Sequence, residues 1–273
     1  MAPLGGIEAA SLRRELKGAY TIWYRDVLRF VRDRARVVAS LAQPLLFLFV
    51  LGYGLGSSIP GLAAGAVSFV QFVFPGILGM TVLFTAIFSA ISIVWDREFG
   101  FLKEVMVAPV SRTAVALGKV AGGSTVAILQ AVIILLLAPA VGITLAWEQY
   151  LLLLALMLLL AAVMTSCGIL VAARQRTIES FQVIMNFLLL PMFFLSGALF
   201  PLIGAPLWME LLATIDPVTY GVDALRQVAL SASVPPELLQ TLILHPILID
   251  VAILAAFGLA FLIPAVWLFG KQD

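Results

Sequence analysis

Trp95-Asp96-Arg97-Glu98-Phe99-Gly100-Phe101-Leu102-Lys103-Glu104-Val105-Met106-Val107-Ala108-Pro109-Val110-Ser111-Arg112 is a short charged stretch between two long hydrophobic runs. On a helix, Phe99, Leu102, Val105 and Met106 fall at i, i+3, i+6 and i+7, which makes one face apolar. Arg97, Glu98, Lys103 and Glu104 take the other faces, Pro109 stops the helix and Ser111 can cap the next one. A helix this short is not stable alone in water and needs something to pack against. Two readings stand at this point. The stretch is either a charged membrane loop lying on lipid headgroups or a docking knob for a cytoplasmic partner.

Composition fixes the class. A soluble domain carries about a quarter charged residues, whereas this chain is 63% hydrophobic and 11% charged. Several runs exceed the ~18 apolar residues that span a bilayer. The fold expected is an all-α polytopic membrane protein forming a single domain over residues 1–273. The one cysteine, Cys167, excludes an internal disulfide and any multi-cysteine metal site, and its small neighbours suggest a packing role. The one histidine, His245, leaves no histidine cluster for a metal. A cleavable leader is not expected, because polar and charged residues precede the first apolar run.

Upstream of the central stretch, residues 8–36 place Leu12, Leu16, Ala19, Trp23, Val27 and Phe30 at helical spacing. Arg13, Lys17, Arg25, Arg29, Arg32 and Arg36 populate the other side. This predicts an amphipathic helix in the cytoplasmic interface, acting either as a basic anchor or mechanically. Predicted spans cover 37–56, 69–95, 116–141, 149–173, 178–200 and 247–269. Pro75-Gly76 near the start of the second suggests a kink or a short outer piece. Of sixteen Lys and Arg residues, only Arg226 falls outside when six spans are drawn with both termini cytoplasmic.

The segment between Pro201 and His245 is external yet apolar. Leu207, Leu211, Leu212 and Ile215 form a stripe ending at Asp216, and Asp216-Pro217 reads as an N-cap followed by proline at the first helical position. Two half-length helices over 206–231 suggest a re-entrant hairpin rather than helices lying flat on the outer leaflet.

No energy-transducing or catalytic set is assigned. Gly118-Lys119 lacks the flanking residues of a phosphate loop, and Gly122-Gly123-Ser124 is better read as close helix packing. Asp250 alone among the acids lies inside a predicted span, near its external end, where it is expected to pair with His245 or Arg226 or to face water. Coupling to an ion gradient is therefore disfavoured. Gln130 and Asn186 are neutral and are expected to join helices by hydrogen bonds. No metal site and no activated nucleophile is identified, so the chain is not expected to be an enzyme.

The central stretch, from Asp96 to Glu104 and on through Val107-Ala108-Pro109-Val110-Ser111-Arg112, resembles the signature of ABC type-two export permeases. Pro75-Gly76, Phe194-Leu195-Ser196-Gly197-Ala198-Leu199-Phe200-Pro201 and Asp216-Pro217-Val218-Thr219-Tyr220-Gly221-Val222-Asp223-Ala224-Leu225-Arg226 carry the likeness across nearly the whole chain. The nearest resemblance is to daunorubicin-resistance and nodulation lipo-oligosaccharide exporter permeases.

The resemblance implies a six-span subunit acting as a homo- or heterodimer in a bacterial inner membrane. It implies two copies of a separate ATP-binding subunit, which would hold the ATP and Mg. Residues 96–108 become the coupling helix, with Arg97, Glu98, Phe99, Leu102, Lys103, Glu104 and Met106 against the ATPase. Trp23, Arg25 and Arg29 belong to the interface helix, a second contact with that subunit. Asp216, Pro217, Tyr220, Asp223 and Arg226 belong to the hairpin and the outer gate, and Gln182 and Asn186 to the path or dimer seam. The substrate expected is amphipathic, lipid-linked or drug-like; the rival is a motor-independent channel or flippase-like pore.

Overall fold

The protein is described by a computed structural model over residues 5–55, 67–99 and 111–270. Among those residues the secondary structure is helical, without strands. The amphipathic stretch forms α1 (Gly5–Arg32). After a break at Asp33, α2 (Arg34–Leu46) continues into a wider π-helical stretch, Phe47–Leu55. Next come α3 (Phe69–Ser89), α4 (Ile91–Glu98), α5 (Arg112–Leu135), α6 (Trp147–Ala172) and α7 (Ile178–Leu195). The chain then forms α8 (Leu207–Thr214), α9 (Pro217–Leu230), the single turn α10 (Pro236–Leu239) and α11 (Ile247–Gly270).

Six helical segments are long and apolar enough to cross a membrane: Val37–Gly54, Phe69–Glu98, Arg112–Leu135, Trp147–Ala172, Ile178–Leu195 and Ile247–Leu268. Their starts are set by side-chain caps. Ser68 and Gln71 form a reciprocal capping box at α3, Ser111 Oγ accepts from Ala114 N at 3.1 Å at α5, and Thr177 caps α7. Their ends differ from the sequence expectation in two places. The third span stops at Leu135 rather than near residue 141, giving way to a short 3-10 turn over Ala138–Val141. Pro139 lacks the N–H needed to continue the helix, and Gly142, at φ 78°, turns the chain. The fifth stops at Leu195 and is followed by Gly197 at φ 72°. No separate outer piece forms at Pro75, since α3 runs through it, and the helix breaks at Ala90 between α3 and α4.

The core is built from α3, α5 and α6, against which α9 and α11 pack. Phe72, Phe74, Ile77 and Leu78 from α3 lie wholly inside it. Small residues set the spacing. A Cβ at Gly118 would lie 2.7 Å from the Ala19 carbonyl oxygen and one at Gly122 would lie 3.1 Å from Asp26 Cβ, so α1 sits directly on the backbone of α5. Gly123 faces Ser89 and Thr165 in the same way, which joins α5 to α3 and α6.

Burial is uneven. Spans two to four are mostly enclosed, while the first, fifth and last are mostly exposed. Phe49, Val50 and Tyr53 of the first span and Val183, Phe187 and Leu190 of α7 present apolar side chains outward. The helix α9 is the opposite case. Nearly every side chain is buried, although the helix is too short to cross a bilayer by itself.

Candidate functional site

Two polar constellations lie at opposite ends of the bundle. At the basic end, four charges from three helices converge. Lys119 of α5 is almost fully buried, and its Nζ lies 3.1 Å from Asp26 of α1 and 3.4 Å from Asp96 of α4. Arg25 reaches Asp96 at 2.9 Å and Asp26 at 3.6 Å, and Ser92 accepts from Lys119 at 2.9 Å. The cluster ties α1, α4 and α5 into one unit, because removing any member leaves opposite charge partly buried. Trp23 adds a neutral tie by donating from Nε1 to Thr125 Oγ1 at 2.9 Å.

One turn further on, Arg97 turns inward. Its guanidinium donates to the carbonyls of Ala173 at 3.2 Å and Ala172 at 3.4 Å, and also to that of Gln175. These carbonyls close the C-terminus of α6, where a cation meets the negative end of the helix dipole. Glu98 reaches the other side of the same turn: its Oε2 accepts from Ile178 N at 3.0 Å, at the N-terminus of α7. Arg97 and Glu98 therefore brace α4 against the α6–α7 turn, one residue on each helix end.

Phe99 points the other way. It is 58% exposed and its ring meets that of Trp95 at a tilt, with centroids 5.1 Å apart, while Arg29 stacks over Trp95 at 5.3 Å. The sequence-predicted residues Leu102, Lys103, Glu104 and Met106 lie outside the described residues. Where the chain is described again, Ser111 donates from its backbone N to Glu15 of α1 at 2.9 Å, and from its hydroxyl as well. Both ends of the central stretch are thus held by the bundle. Beside the brace, a cavity of about 380 Å³ is lined by Asp26, Arg29, Ser92, Trp95 and Gln182.

At the opposite end, Asp216 Oδ1 accepts from Val218 N at 2.9 Å and starts α9, with Pro217 in its first turn. Tyr220 donates to the Thr214 carbonyl at 2.8 Å, closing the α8–α9 corner. Asp223 accepts from the backbone N–H groups of Leu244 and His245 at 2.9 and 3.0 Å. Arg226 donates to the Gly197 carbonyl at 2.6 Å and lies 4.1 Å over the ring of Phe72. Gln227 donates to Asp250 at 2.8 Å and to the His245 carbonyl at 2.9 Å. Of the pairings open to Asp250, the one with His245 forms, at 3.4 Å.

A family model for ABC-2 type transporters matches residues 18–230, a region that contains the brace, the charge cluster and the whole of α9. The chain belongs to the ABC-2 type transporter family. It is similar to the transport permease ycf38 of Pyropia yezoensis, 32% identical over 225 residues that cover 81% of this chain and 75% of the relative. It is also similar to nodulation protein J of Rhizobium leguminosarum bv. trifolii, 29% identical with 77% and 80% covered. The inner membrane transport permease YadH of Escherichia coli K12 is 27% identical, with 76% and 80% covered. The protein is a membrane-embedded ABC-2 transport permease.

In this permease, Arg226 is no exposed external charge, since it is 3% exposed inside α9's packing. That explains why it stood alone in the charge count. Gln182 and Asn186 both lie on the exposed face of α7, whereas Phe181, Met185 and Leu189 face inward. Sequence reasoning missed Asp26, Lys119 and Glu15 as site residues. Lys119 was visible only as a failed phosphate loop, and its partners are 93 and 23 positions away along the chain.

Proposed function

We propose that this permease is the membrane subunit of an ATP-driven exporter, moved by two copies of a separate ABC ATPase that grips the stretch following Glu98. The observation that carries the proposal is the Arg97–Glu98 brace. A force applied to the exposed Phe99 side passes directly into the ends of α6 and α7, and the buried charge cluster passes it to α1 and α5. The cargo is amphipathic, lipid-linked or drug-like, because beyond Glu179 at its basic end the outward face of the fifth span, like that of the first, is apolar, with Gln182 and Asn186 as neutral polar groups. The setting is a bacterial inner membrane with the basic end cytoplasmic. The helices α8 and α9 then form the re-entrant hairpin at the outer side, where enclosure by α3, α6 and α11 satisfies a half-length helix at membrane depth.

The exposed faces of the first span and α7 form the dimer seam in this reading. With Cys167 replaced by alanine, Phe187→Cys is expected to give an oxidant-dependent dimer in membranes, and Leu248→Cys on the last span is expected to stay monomeric. The band on a non-reducing gel checks it, and the reverse pattern would move the seam. Proteoliposomes holding the permease alone should show no net transport of an amphipathic cargo, and ATP with the cognate ATPase should produce it. Equal transport without the motor would favour a stand-alone pore.

A further inference from the structure

Asp223 of α9, Asp250 of α11 and His245 in the connection between them offer one ligand atom each, all within 4.8 Å of one another. Both carboxylates are buried, at 1% and 0% exposure. Their hydrogen bonds leave one corner of the group unserved. Asp250 Oδ2 is taken by Gln227, but Asp250 Oδ1 is buried without a hydrogen-bond partner, and so is His245 Nδ1, which faces it at 3.4 Å. Two buried polar atoms that face each other without a hydrogen bond, beside a second carboxylate, form an arrangement that costs free energy unless a proton or a cation lies among them. Arg226 sits near Asp223, but its described bond goes to Gly197 and its face to Phe72, so it does not fill that corner.

We propose that Asp223, His245 and Asp250 form a binding site for a divalent transition-metal ion of the zinc class on the outer side of the permease. One imidazole nitrogen with two carboxylate oxygens suits zinc or manganese better than calcium or magnesium, which take oxygen ligands. The donor set is held from behind, as metal ligands generally are. The backbone N–H groups of Leu244 and His245 fix Asp223, Gln227 fixes Asp250, and Tyr220 stacks on the His245 ring at 5.5 Å. Ions reach the site through a cavity of about 270 Å³ lined by Tyr220, His245 and Glu210. A bound ion would staple the buried helix α9 to the first turn of the last span, and so hold the outer end of the path in one arrangement. One histidine and two acids separated by 22 and 5 positions match no spaced metal motif, so the sequence pattern suggests at most a His245–Asp250 pairing.

The test uses the full permease, purified without a histidine tag, stripped with chelator and titrated with zinc alone. One ion per chain is expected, with affinity reduced at least about tenfold in His245→Gln and in Asp250→Asn. Zinc-edge X-ray absorption on the wild type should show oxygen and nitrogen ligands near about 2.0–2.2 Å, including one imidazole. Both variants should elute as folded protein on gel filtration, and Glu179→Gln, in the first turn of α7 at the basic end, should bind as the wild type does. Wild-type binding no tighter than that of the variants, or an absorption spectrum without imidazole, would overturn the site. The cluster would then be a carboxyl–carboxylate pair sharing a proton. Because the titration needs neither motor nor cargo, its failure would leave the exporter reading standing.

Discussion

Glu98→Ala should leave the ATPase bound to this permease yet reduce transport at least about tenfold, a loss equivalent to about 1.4 kcal/mol in the coupled step. Glu98 binds the N-terminus of α7 through its carboxylate, so its removal slackens the link between α4 and the fifth span while leaving the Phe99 side chain in place. Phe99→Ala should behave differently. That side chain is exposed and rests against Trp95, so its loss should release the ATPase on co-purification. Arg97→Ala should resemble Glu98→Ala, because its guanidinium holds the last carbonyls of α6. ATPase turnover and transport, measured together in proteoliposomes, separate the two classes. Wild-type transport from Glu98→Ala would remove the brace from the mechanism. A map of the assembled complex in which Phe99 touches only lipid or water would remove the docking face.

Lys119→Met should cost about 3 kcal/mol of stability, the low end of the range for breaking a buried ion pair. The substitution keeps the stem that packs between α1 and α5 but leaves Asp26 and Asp96 with Arg25 as their remaining cation among the described residues. Arg25 is 45% exposed, so water shares its charge and it replaces the lysine only in part. The check is thermal unfolding of the detergent-purified permease, with a midpoint several degrees below wild type. Adding Asp96→Asn to Lys119→Met should recover part of the loss, since the orphaned charge goes with it. An unchanged midpoint for the single variant would mean that the cluster contributes nothing to the packing of α1 on the bundle.

Much of the architecture was legible because its cause is local. Runs of apolar residues bounded by Ser68, Ser111 and Thr177 announce where helices start, since a cap acts within three residues of itself. The glycines at 122 and 123 read as packing surfaces, and each does meet a neighbouring helix. The third span's early end was less legible, because a proline within an apolar run does not alter hydropathy, only hydrogen bonding.

The candidate sites were legible as residues and not as partners. The resemblance assigns both Arg97 and Glu98 to the ATPase contact. In the folded chain they grip two different helix ends, while Phe99 presents its ring outward. No periodicity could show this, because the α6–α7 turn lies some eighty positions away along the chain. Arg226 likewise counted as an outer charge until α9 was seen to be enclosed on all sides.

Six membrane-length helices, an amphipathic leading helix and the kinship with ABC-2 permeases were determined by the sequence alone, because hydrophobic length and short motifs are properties of contiguous residues. The tertiary structure alone decided which charges meet: Lys119 with Asp26 and Asp96, Arg97 and Glu98 with the α6–α7 turn, and Asp223 with His245 and Asp250. Charge pairing in a low-dielectric bundle depends on distances of a few ångströms between helices far apart in the chain, and helix packing sets those distances.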